Sequence, residues 1–204
     1  MTEPLVAIRP RRTLTCKTAA LTTFTVALLV PAAVLTPIAS GQPGGGRAHA
    51  YSTVFNASGR QLRRAVVCLI NDQRIERGLP SLKVNARLNR SAQDWTNVMV
   101  DDSTFTHGSN FAGRISAVGY DWSTAGENIA TGFATPASVV NAWMGDVGHC
   151  RNILTPTFAA VGTGVSRLGV RGYGNLGTWT QDFGLWMGRR PPSGNWGPAD
   201  GCPY

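Results

Sequence analysis

The sequence predicts an α+β domain with helices on both faces of a short, largely antiparallel sheet. Two stretches with apolar residues at helical spacing come before the first alternating segment. A third helical stripe follows it, and two strand-like runs joined by a Gly-rich link close the domain. The order helix, helix, strand, helix, strand, strand buries every apolar stripe most economically when the sheet lies between the helices.

The first helix is read from Gln61 to Arg77, where Leu62, Ala65, Val66, Leu69 and Ile70 recur at helical spacing. Gly78 and Pro80 end it, as a cap glycine and a following proline do. Asn85 is an N-cap for the second helix, whose stripe Leu88, Ala92, Trp95 and Met99 is read as core. A loop with His107 follows, and residues 113–119 suit a short helix. Trp122 to Ala130 alternates as a strand, with Ala125, Glu127 and Ile129 on one face. Thr135 then Pro136 opens the third helix, with Val139, Val140, Trp143 and Met144 as its stripe. His149 starts a further turn up to Leu154. Phe158 to Leu168 and Thr178 to Phe183 read as a hairpin of two strands across the link Gly169 to Gly177.

Residues 1–50 read as a secretory signal segment. Arg9, Arg11, Arg12 and Lys17 precede the uncharged, mostly apolar run Ala19 to Leu35, and Ala48-His49-Ala50 resembles a cleavage site. The alternative is an uncleaved N-terminal membrane anchor, which Pro31 within the run and Pro37 just after it disfavour. Residues 51–60 are then a lead-in, 61–184 the domain and 185–204 an irregular C-terminal tail. The mature part carries fourteen basic against ten acidic residues, so half of the +8 of the whole chain belongs to the leader. With no Lys/Arg run, this charge points away from nucleic acid, and the mature chain has no spanning segment. Cys68, Cys150 and Cys202 remain after the leader. An odd count in an oxidising compartment implies one disulfide and one leftover thiol, hence a monomer or a thiol-linked dimer.

Glu127 poses the chemical question. On an inward face an ionised carboxylate needs donors or loses its charge. The mature part has two histidines, His107 and His149, both in Gly-flanked loops, and these are the donors expected to meet Glu127 in one cleft. Zinc accepts imidazole nitrogen and carboxylate oxygen, so His107, His149 and Glu127 are also candidate ligands for a divalent metal. The competing reading is a metal-free hydrogen-bond network. Asn71 and Arg74 are read either as exposed polar residues or as groups that position neighbouring loops. Cys150 as a nucleophile with His107 as base is disfavoured because a secreted cysteine is more often bridged, and Ser109 lacks a G-x-S-x-G context.

Five short stretches together resemble the CAP superfamily (cysteine-rich secretory proteins, antigen 5 and pathogenesis-related 1; SCP domains) in its short bacterial secreted form. They are Asn71-Asp72-Gln73-Arg74, Phe105-Thr106-His107, Gly126-Glu127-Asn128-Ile129, Ala142-Trp143-Met144 with Gly148-His149-Cys150-Arg151-Asn152-Ile153-Leu154, and Trp179-Thr180-Gln181-Asp182-Phe183. The resemblance implies a three-layer αβα sandwich with a central cleft that in many members holds two His and two acids. By position His107 and Glu127 match the first pair, and Asp146 takes the second acid's place. Thr178 stands near the second His of larger members, while short bacterial members carry a His at His149. Within this frame Cys68 and Cys150 lie in the body of the domain and are the expected disulfide. The implied function is an extracellular or cell-wall-associated binding module for a lipid, glycan or protein ligand. The alternative is a metal-dependent hydrolase of cell-envelope or extracellular polymers. The sequence itself names neither ligand nor catalysis.

Overall fold

The structure is a computed structural model that describes residues 47–193 and Cys202; the leader before Arg47 and most of the tail lie outside the described residues. Helix α1 (Gly59–Glu76) starts at a capping box, in which Ser58 and Gln61 satisfy one another's backbone N–H groups. Strand β1 (Lys83–Val84), too short to show an alternating pattern, leads to α2 (Ala86–Asp101), capped by Asn85. Then come α3 (Phe111–Ala117), β2 (Trp122–Thr131), α4 (Pro136–Met144), α5 (Val147–Leu154), β3 (Ala160–Leu168) and β4 (Leu176–Trp186).

The sheet order is β1-β3-β4-β2. β1 runs parallel to β3, and the other two pairings are antiparallel. Helices α1, α4 and α5 cover one face, where Leu62, Val66, Trp143 and Ile153 pack on Val161, Trp179 and Phe183. Helices α2 and α3 cover the other, through Leu88, Ile115 and Met99. This is the expected αβα sandwich. Among the described residues no helix is long and apolar enough to cross a membrane.

Arg74 ties α1 to the opposite end of its layer. Fully buried, it donates to the carbonyls of Pro80, Ile153, Thr155 and Phe158 at 2.7–3.4 Å, so it holds the C-terminal end of α5. Burial lowers its pKa to about 10, which leaves it cationic at neutral pH. Asn71 exchanges two hydrogen bonds with the backbone of Leu82. Both residues position loops.

The expected Cys68–Cys150 bridge does not form. Cys150 pairs with Cys202, with Cα atoms 5.8 Å apart, within the span a disulfide allows. Cys202, assigned by sequence to an irregular tail, is buried in the core beside α5. Closing a loop of 52 residues is worth about 4 kcal/mol by chain entropy. Among the described residues no cysteine is free, so neither the leftover thiol nor a dimer through it is supported.

Candidate functional site

His107 reaches the sheet because the loop after α2 turns sharply behind it. Gly108 takes φ +64°, and a Cβ there would sit 3.0 Å from the Trp95 ring. The Thr106 hydroxyl accepts the Gly108 N–H at 3.0 Å. Asn110 then caps α3 through Gly113 N–H, which sets Arg114 one turn into the helix.

These two side chains converge on Glu127. Its side chain is 2% exposed. His107 Nδ1 lies 2.8 Å from Oε1, and Arg114 Nη2 donates to Oε2 at 2.5 Å. Arg114 also donates through Nη1 to the His107 carbonyl at 3.0 Å and stacks on Trp95, 3.7 Å from the ring centroid. The Trp95 indole N–H donates to the Thr106 carbonyl. Trp95, expected in the core, is half-buried and serves as the platform for this cation.

His149 does not bond to Glu127. Its Nδ1 lies 3.0 Å from Asp146 Oδ1, and the same oxygen accepts the His149 backbone N–H as the N-cap of α5. The expected three-residue cluster is thus two couples, His107 with Glu127 and His149 with Asp146. The couples are neighbours, since the charge of His107 opposes that of His149. Burial first, then His107, lower the His149 pKa, against the pull of Asp146. Asp146 is itself held below the usual carboxylate range, chiefly by the His149 backbone N–H. A ladder of amides keeps α5 in place: Asn152 donates to the Glu127 carbonyl at 3.0 Å and to Asn128 Oδ1 at 2.9 Å, while Asn128 donates to the His149 carbonyl and to Gln181.

Beneath Glu127 lies a second acid absent from the sequence-based site. Asp182 on β4 stands opposite Glu127 in register and is fully buried. Helix α2 closes over it: a Cβ on Gly162, Asp182's partner on β3, would fall 2.0 Å from the Leu88 carbonyl carbon. Ser91 and Glu127 lie beside the Asp182 carboxyl, yet neither of its oxygens nor Ser91 Oγ makes a well-aligned hydrogen bond. Burial, and next the Glu127 charge, push the Asp182 pKa well up. The ionised form of Asp182 is thus disfavoured, while Arg114 and His107 both face the Glu127 carboxylate above it.

Among the described residues no group of three His, Cys, Asp or Glu side chains is placed to hold a metal, so the expected His107, His149 and Glu127 ligand set does not form. What remains is two imidazoles whose Nδ1 atoms each face a carboxylate and whose Nε2 atoms have no partner among the described residues. That is the outer-shell pattern that fixes a ligating histidine's orientation. Sequence reasoning missed Arg114 because it assigned both donors of Glu127 to histidines. The signal was an Arg one turn inside a helix capped three residues after His107.

The geometry defines a sandwich whose edge strand, β2, carries a carboxylate locked by a histidine and an arginine. Residues 67–183 match the family described as CAP, the cysteine-rich secretory protein family. The chain is 38% identical over 124 residues to uncharacterized protein YkwD of Bacillus subtilis (strain 168), covering 59% of this chain and 46% of that protein. It thus spans about half the length of the curated relative it matches. Two solved structures share the fold. One is an extracellular protein containing a SCP domain from Bacillus anthracis (TM-score 0.53, 22% identity, 63% of this chain and 44% of that one). The other is an outer surface protein from Borrelia burgdorferi (TM-score 0.54, 20% identity, 60% and 91%). The chain belongs to the CAP family.

Proposed function

We propose that this chain is an exported binding module that holds a lipid, glycan or protein partner beside the His107–Glu127–Arg114 cluster, which serves as the structural lock of the cleft. One observation carries the reading: both Glu127 oxygens are engaged by side chains of the fold, so the site is complete as a hydrogen-bond network. No activated nucleophile stands among its members, and Cys150 is bridged. Export is supported by the leader and by a disulfide typical of oxidising compartments. Extracellular and outer-surface are also the words used for two proteins of the same fold.

A second reading rests on the free Nε2 atoms. His107 and His149 would hold a divalent ion such as zinc, with Glu127 and Asp146 orienting the rings. The ion would supply Lewis-acid polarisation and water activation for hydrolysis of cell-envelope polymers. Metal analysis of the untagged protein, run beside binding to lipid extract and cell-wall polymer with and without chelator, separates the two. The binding-module reading expects no stoichiometric metal and chelator-independent binding. Stoichiometric zinc, lost in both His107→Ala and His149→Ala and with binding lost on chelation, favours the second.

A further inference from the structure

Residues Arg47–Ala50 are built into the domain. Arg47–His49 form a single 3-10 turn, and Ala50 after it is 4% exposed. The Ala50 carbonyl accepts the Ala137 N–H at 2.8 Å. Ala137 is the second residue of α4, so this bond satisfies one of the backbone donors that a helix start leaves open. Arg47 donates through Nε and Nη2 to Asp72 Oδ2 at 2.9 and 2.6 Å, pairing a carboxylate whose side chain is 9% exposed. His49 sits between Ser52, 3.1 Å from its Nδ1, and Gln61, 3.0 Å from its Nε2. Gln61 is the residue that closes the capping box of α1. The segment therefore props the N-terminal ends of α1 and α4 together.

We propose that Arg47–Ala50 stays in the exported, folded protein as a clasp between α1 and α4, and that any cut by a signal peptidase lies upstream of Arg47. Ala48-His49-Ala50 has the small-x-small form of a cleavage site, but its last residue is core and its neighbours carry the contacts. A cut after Ala50 would leave Asp72 without its cation and the α4 donor without its acceptor, and would empty the Ala50 position. Such losses leave buried polar groups unpaired. The cleavage pattern asks only for small residues before the cut, so composition alone does not favour this segment over one upstream. The residues between the apolar run and Arg47 include Ala39, Ser40 and Gly41, which are small enough to serve. The inference does not depend on what the His107–Glu127 cluster binds.

The test expresses the full chain in an exporting host and reads the N-terminus of the folded protein by intact mass. Alongside runs Ala48→Lys, which destroys the small residue three positions before the Ala50 bond at an exposed site. The expected result is an N-terminus at or before Arg47 in the wild type, and the same N-terminus in the variant at undiminished yield. Wild-type protein beginning at Tyr51 overturns the proposal. So does a variant that accumulates with its leader intact while the wild type is cut. A leader retained in both leaves the clasp in the folded protein and supports the proposal.

Discussion

At the scale of single residues, the site is a problem of matching charges under a lid. Glu127 is nearly inaccessible, so the cost of losing a donor depends on whether water can take its place. His107 is 49% exposed in its side chain and Arg114 22%. His107→Ala is expected to cost about 1 kcal/mol, because solvent reaches the vacated oxygen. Arg114→Leu strands a buried charge and is expected to cost about 3 kcal/mol. Urea denaturation of the two variants checks the order, and equal losses would show that the cation is not the main partner. Asp182 sets the pH response. Between the ordinary carboxyl range and its own raised value, the folded chain holds a proton that the unfolded chain has released. Its contribution is thus full at low pH and lost as pH rises through the folded pKa. Asp182→Asn, which mimics the protonated acid, is expected to flatten that decline and to equal or exceed the wild-type Tm at pH 8. An unchanged pH slope in the variant would show that Asp182 is not the group that titrates between folded and unfolded chain.

At the scale of elements, most of the fold was legible. The N-caps at Asn85 and Thr135-Pro136 and the Gly-Pro stop after α1 place three helices, because capping chemistry is local. The Glu127 face was legible from alternation. β1 was not, since two residues have no period and pair only through a strand some seventy-five residues later. The donors of Glu127 were half legible: the Phe105-Thr106-His107 stretch marks one, whereas Arg114 enters through the angle at which α3 meets β2, which no spacing encodes. His149 failed for a local reason, since its own N-cap Asp146 lies three residues away and claims the ring first. Arg74 shows how much one side chain can hold between elements. Arg74→Met keeps most of the volume and removes every donor to the four carbonyls. It is expected to cost about 3 kcal/mol in urea denaturation, with the α5 amides that surround His149 exchanging faster than those of α2. Uniform exchange across both helices would mean that α5 does not depend on this anchor.

At the scale of the whole molecule, the disulfide was misjudged because a segment without periodicity was taken for one without packing, when Cys202 is as deeply placed as many helix residues. Strand order has a consequence of a different kind. Among the strands β2 pairs only with β4, and β4 lies between β3 and β2 although it is the last strand in sequence. As the nascent chain leaves the ribosome, β2 therefore has no ladder partner until Leu176–Trp186 has followed it. At about 5–20 residues per second that delay lasts several seconds. Through it the β2 edge stays without its ladder. The carboxylate, histidine and arginine come under one roof only when the final strand slides in.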